Sequence, residues 1–375
     1  MTGYAGTLAF GTNKISIAGA AATVYTGDTT YSVSGTPRMD FVYPGRTGTR
    51  QISPGVVTDA NSINTYITAG VDIIGLTNLG VWRTLDFTGF GGSITTNSGR
   101  SVAGNLVLSS TMSVSTGIGT TTFTGNGTHS INTNGIQYPM PVTINSSGGS
   151  YTLLSNMDLG LARTFTISGG TFDAASYNVS MGLFATSGTT TKVVNMGSGT
   201  WTISSTGTPW TTPAGGNLTW NPNTSTMSVN SSSTSIKTLS PAGQSNWNNF
   251  VINSQGQVRI TANTTINNFT VATSNATMVI SSGVYITITT GFTFAGNSTV
   301  QSTLSALTPG SIAYVSSGNG NIFNPSYLTI TDVGATGGAR WRTYDNVGNI
   351  NGGNAPGWLW YQSNVSNTVF FEWLA

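Results

Sequence analysis

Ionisable side chains are so few in this sequence that each can be weighed in turn as a candidate for chemistry. One histidine is present, His129, in the run Gly127-Thr128-His129-Ser130, and there is no cysteine. A single imidazole cannot build a multi-histidine metal site. Without thiols there is no thiolate ligand, no cysteine nucleophile and no disulfide. A serine triad built on His129 would need a nucleophile elbow of the G-x-S-x-G type, and no such run occurs. His129 alternates with Ile131 and reads as a solvated strand position.

Glycoside hydrolysis needs two carboxyl groups about 5 to 9 Å apart. The middle of the chain offers Asp158 and Asp173, 15 positions apart, with Arg163 between them. They can meet only by lying on adjacent turns of a repeating structure. A surface ion pair with Arg163 explains the group more simply. Asp72 with Asp86 has the same reading. The glycine-rich runs Gly89-Phe90-Gly91-Gly92 and Gly117-Ile118-Gly119 lack the strand-loop-helix context and the lysine of a phosphate-binding loop, so they read as turns. Thr164-x-Thr166 and Thr287-x-Thr289 suggest outward hydroxyl rows, too irregular for an ice-matching plane. No catalytic, cofactor-binding or metal-binding residues are expected, and no cofactor.

The elements that would carry these residues follow from composition and period. Of 375 residues only 6% are charged, against about 25% in ordinary domains. Glutamate occurs once, at Glu372, and lysine at Lys14, Lys192 and Lys237 only. The residues that build helix surfaces are therefore nearly absent, while Thr, Val, Ile and aromatics suit pleated strands. A hydrophobic fraction of 37% with 10% aromatics argues against disorder. The net charge of +2, without a basic cluster, argues against nucleic acid as a partner. The N-terminus lacks the basic and apolar regions of a secretion signal, and no run approaches 18 apolar residues, so neither export nor a membrane is expected. That combination favours a protein assembled inside a cell and released in a particle.

Three zones are expected. Residues 1–100 hold much of the charge and form a separate β-rich N-terminal region, with one short helix over Asp59–Ala69 capped by Asp59 and ended by Gly70. Residues 101–331 are nearly charge-free and alternate apolar with polar residues between Ser-Gly, Gly-Gly and Asn-Gly breaks. Residues 332–375 are an aromatic C-terminal cap or oligomerisation region. Within the middle zone Asn248-Asn249-Phe250-Val251-Ile252 returns as Asn267-Asn268-Phe269-Thr270-Val271, an offset of 19 from Phe250 to Phe269. Val142-Thr143-Ile144 returns as Phe165-Thr166-Ile167, an offset of 23. A looser likeness links residues 169–182 to 275–291. Self-similarity near 20 residues marks a solenoid, so the expected fold class is all-β with a parallel β-helix, or β-solenoid, core. The alternative is a string of tandem β-sandwich domains. In the C-terminal zone Trp341, Trp358, Trp360, Tyr361, Phe370, Phe371 and Trp373 are the candidate cap or oligomer contact.

Four stretches carry a resemblance: YSVSGTPRMDFVYPGRTGTRQI (31–52), LDFTGFGGSI (85–94), the NNFVI and NNFTV repeats, and YLTITDVGATGGARWRTYDNVGNINGGNAPGW (327–358). They resemble β-rich structural proteins of tailed phages common in viral environmental sequences. The last stretch is the most specific, and here the chain continues 17 residues past Trp358. The resemblance implies a virion component, a tail fibre or spike that acts as a rigid spacer, with adhesion to host surface glycan as a further role. It carries no catalytic residues. Expected partners are other copies of the chain, as a homotrimer, and other virion proteins. Residues 1–100 are the candidate particle-attachment region. A capsid decoration protein is the alternative, ahead of a polysaccharide depolymerase or a bacterial surface adhesin.

Overall fold

A computed structural model describes residues 7–11, 14–17, 23–26, 32–35, 38–41, 49–53, 63–76, 80–95, 98–117, 119–215, 217–244 and 246–362. Among them there is no α-helix, only a 3-10 turn at Asp345–Val347. Phe370, Phe371 and Trp373 lie outside the described residues. The described chain is a parallel β-helix, divided into two compact units: Met1–Ser228 with Ala242–Gln244, and Val229–Pro241 with Ser245–Ala375.

In the first unit a coil takes up to three short strands separated by corners. One face stacks Arg100–Val102, Thr121–Phe123, the start of Val142–Leu153, the start of Thr164–Asp173, and Leu183–Thr186. A second stacks Thr128–Asn132, the end of Val142–Leu153, the end of Thr164–Asp173, Lys192–Asn195 and Leu218–Asn221. The third carries Ile73–Leu76, Ser93–Thr95 and Ser113–Val114, and further along Met157–Asp158, Val179–Met181 and Thr200–Ile203. Val142–Leu153 serves two faces because it breaks register between Ile144 and Ser150 and turns the corner there.

Period-2 alternation decides which side chains go inward. Val142 and Ile144 are buried beneath Phe165 and Ile167, while Thr143 and Thr166 point out. The interior is a column of large apolar groups. Phe165 lies 5.8 Å from Phe184, which lies 4.4 Å from Trp210, and Trp201 edges against Phe172 and Phe184 and lies tilted against Phe165. Each such ring fully removed from water stabilises by about 1.5–3 kcal/mol. Outside, Ser101, Thr122, Thr143 and Thr166 fall in register as a hydroxyl row that ends at Ala185. The neighbouring row holds Thr164 beside Leu183, so no flat hydroxyl plane forms.

The second unit repeats the plan. One sheet stacks Lys237–Ser240, Gln257–Ile260, Thr277–Ile280, Ser302–Ala306, Leu328–Thr331 and Ile350–Asn351. Another stacks Asn246–Ser254, Thr264–Val271, Tyr285–Phe294, Ala313–Ser316 and Val333–Thr336. The NNF repeat is the true coil register, with Asn249 opposite Asn268 and Phe250 opposite Phe269. The 23-residue offset is real as well, with Val142 opposite Phe165. Residues 169–182 and 275–291 belong to different units.

One expectation is corrected. The proposed helix over Asp59–Ala69 is instead, where described, the strand Ile63–Ile67, with strictly alternating burial. Ile63, Thr65 and Ile67 face inward, and this tertiary burial outweighs the cap signal at Asp59. Position 100 does not interrupt the strand ladder: Ser101 and Val102 pair with Val81 and Trp82 on one side, and with Thr122 and Phe123 on the other.

Candidate functional site

The corner between the first and second faces of the first unit opens into a surface groove of about 390 Å³. Its walls are Asn64, Arg83, Thr84, Asn126 and His129, over a floor of Ala103, Gly104, Gly125 and Gly127. The residues come from successive coils, since Arg83 adjoins Trp82, which pairs with Val102, which pairs with Phe123. Glycine is required at this corner. A Cβ on Gly104 would sit 1.8 Å from the Arg83 carbonyl oxygen, and one on Gly125 would sit 1.8 Å from that of Ala103.

The floor is held from within the stack. Tyr151 is fully buried, and its hydroxyl accepts the Gly125 amide N–H at 2.8 Å and donates to the Val102 carbonyl at 3.3 Å. One phenol thereby ties two successive corners. At one end of the groove the Ser146 hydroxyl donates to the Gly125 carbonyl at 2.8 Å, while the Ser147 hydroxyl donates to Asn126 Oδ1 at 2.8 Å. That fixes the amide of an exposed asparagine. His129 lies half-buried with its ring 5.1 Å from Tyr151, and its Nε2 accepts the Gly127 amide N–H at 3.2 Å.

Arg83 is the only formally charged residue among the described residues that line the groove. It is half-buried, and among the described residues it makes no ion pair with a carboxylate. By contrast Arg38 donates to Asp40 at 2.7 and 3.2 Å and lies over the Tyr66 ring.

The carboxylates expected to be worth weighing are kept apart. Asp158 is on the third face, opposite Ser180, and accepts from Gln137 Nε2 at 3.0 Å and from the Gly160 amide at 2.8 Å. Asp173 is on the second face, opposite Asn195, and accepts from the Ala175 amide at 2.7 Å. Each caps its own turn, and among the described residues neither pairs with Arg163. Asp86 likewise caps the turn at Thr88, at 2.8 Å, while Asp72 is buried at the start of a third-face strand. Among the described residues no three His, Cys, Asp or Glu side chains gather as a metal site, and no helix is long and apolar enough to cross a membrane.

The C-terminal aromatics divide by strand alternation. Trp341 and Trp358 are buried in the second unit, 5.2 Å apart, and Trp341 packs on Phe292 and Phe323. Their indole N–H groups donate to the carbonyls of Thr336 and Val333. Trp360 is half-buried, and Tyr361 is exposed and stacked on Tyr344 at 4.9 Å.

Sequence reasoning did not find the groove, because its residues are about one coil apart and carry no shared motif. It also missed the two lysines. Lys192 and Lys237 are buried, and their ammonium groups turn back onto loop carbonyls: Gly188 and Thr190 for Lys192, and Ser233, Ser235 and Gln255 for Lys237. Burial pushes both ammonium pKa values down. The shared signal is a lysine that opens a strand after a run of Ser and Thr. No protein-family model matches the chain, and comparison with curated proteins and with solved structures likewise finds no match.

Proposed function

We propose that this chain is a structural, non-enzymatic component of a tailed-phage virion, a fibre or spike that works as a homotrimer. In it the coil stack acts as a stiff spacer between other virion proteins and the host surface. The observation that carries this reading is the registered parallel stack in each unit, faced with hydroxyl and amide side chains instead of charges. Within each unit the described coils are hydrogen-bonded to their neighbours along the stacking direction, so bending either stack would break backbone bonds, each worth about 1 kcal/mol net. A surface of Thr, Ser and Asn needs no counter-charge, which suits close packing of identical chains. The resemblance of residues 31–52, 85–94 and 327–358 to phage structural proteins points the same way.

The test is proteomic and immunological. Mass spectrometry of purified particles should recover the chain at a few copies per virion, and gold-labelled antibody should decorate the tail or baseplate. Recovery at hundreds of copies with label over the head would replace the fibre reading with a capsid decoration protein.

A further inference from the structure

We infer that the corner groove around Arg83 binds a carboxylate-bearing saccharide, with the sugar carboxylate on the Arg83 guanidinium. Four observations converge. The volume of about 390 Å³ is that of a small-ligand site. The walls are polar: two amides (Asn64 and Asn126), one hydroxyl (Thr84) and one imidazole (His129), which is the donor and acceptor mixture that hydroxyl-rich ligands need. The single formal charge among the described lining residues is a guanidinium, and its planar fork matches a carboxylate in a bidentate way. The floor is set before any ligand arrives, because the Tyr151 hydroxyl locks Gly125 against Val102, Ser146 holds the Gly125 carbonyl, and Ser147 holds Asn126. A rigid site loses little ordering entropy on binding.

The same features disfavour other ligand classes. A nucleic acid would need several cations along its backbone, and the described lining residues supply one. A peptide would need an apolar pocket for an anchoring side chain, and the floor is Ala103 with three glycines. One charge among amides and a hydroxyl fits one uronate-type residue in a chain of sugars.

This extends the fibre reading by giving the fibre a host glycan to hold, and the two fail separately. Absence from particles would leave saccharide binding untouched, and loss of saccharide binding would leave the place on the particle untouched. The experiment is titration calorimetry of the full chain with tetragalacturonate, with its methyl ester and with acetate. Binding of tetragalacturonate, at least tenfold weaker binding of the neutral ester, and no binding of acetate are expected. Arg83→Gln should weaken tetragalacturonate binding at least tenfold while the unfolding midpoint stays put, and Arg83→Lys should weaken it less. Raising the salt should weaken wild-type binding, a readout independent of any variant. The inference is overturned if tetragalacturonate does not bind, if the ester binds equally well, if acetate binds as tightly as the sugar, or if Arg83→Gln leaves the affinity unchanged.

Discussion

Asn268 donates from Nδ2 to Oδ1 of Asn249 at 2.9 Å, directly across one coil of the second unit. Beside it Asn267 does the same to Asn248 at 3.2 Å, and the Thr289 hydroxyl continues the row by donating to Asn267 Oδ1 at 2.8 Å. These side chains repeat the backbone ladder at the corner. Asn268→Ala removes one rung and leaves part of the row unpaired, so a loss of about 1–2 kcal/mol is expected in urea unfolding of the full chain. No loss of stability would show the row to be decorative.

The ring of Phe269 is stacked between Phe250 and Phe292, with centroids 5.6 Å away on each side. It also borders a small apolar void of about 10 Å³. Phe269→Ala enlarges that void and is expected to cost about 3–5 kcal/mol, whereas Phe269→Leu should cost clearly less. Equal losses for the two variants would mean that stacking geometry, not filled volume, sets the stability here.

Lys237 is a clasp. Its ammonium group donates to Ser235 at 2.9 Å, to Gln255 at 2.7 Å and to Ser233. Lys237→Met strands three carbonyls, and a loss of about 3 kcal/mol is expected at pH 7. The folded-state pKa lies below the ordinary 10.5 because burial disfavours the cation. The unfolded chain therefore holds more protons between those two values, and this lysine's contribution to stability rises with pH as 10.5 is approached. Tracking unfolding midpoints across that alkaline window, wild type should gain on Lys237→Met. Parallel curves would mean that the carbonyl bonds fully offset the cost of burying the cation.

Asp332 also gains with pH, but for the opposite reason: here the fold favours the charged form. It accepts from the Gly310 amide at 3.0 Å and from Asn354 Nδ2 at 2.8 Å, and these bonds hold its carboxyl below the ordinary 3.8. Its stabilisation is present above that ordinary value and is lost as pH falls through the lower folded value. Asp332→Asn keeps the left-handed backbone at φ 57°, which asparagine tolerates. The variant should melt below wild type at neutral pH and merge with it in strong acid. A constant gap at every pH would rule out the charge as the cause.

Gly125→Ala tests the corner that forms the groove floor. The new methyl would lie 1.8 Å from the Ala103 carbonyl oxygen, so adjacent coils must separate. A loss of about 1–3 kcal/mol or more is expected by calorimetry, as for other overpacked sites. Wild-type stability would mean that the corner is slack.

The fold was legible because a solenoid writes its register into the sequence. Phe250 and Phe269 sit in equivalent environments one coil apart, and so do Val142 and Phe165, so selection for the same interior slot leaves visible repeats. The strand Ile63–Ile67 was misread because Asp59 and Gly70 mimic helix punctuation, while burial of Ile63 and Ile67 against neighbouring coils is a non-local effect. The groove was not legible for a related reason. Coil offsets vary from 17 between Trp341 and Trp358 to 29 between Tyr285 and Tyr314, so Asn64, Arg83 and His129 share a corner without sharing a period. The roles of Lys192 and Lys237 were not legible, because a sequence does not show an ammonium folding back onto carbonyls two and four residues earlier.

The central claim, that this β-helix is a fibre component of a virion, is tested most directly by cryo-electron microscopy of the intact particle. Thin projections on the tail or baseplate, with coil layers about 4.8 Å apart that accept each unit in turn, are the expected result. Density for the chain spread over the capsid shell, or none on the particle, would contradict it.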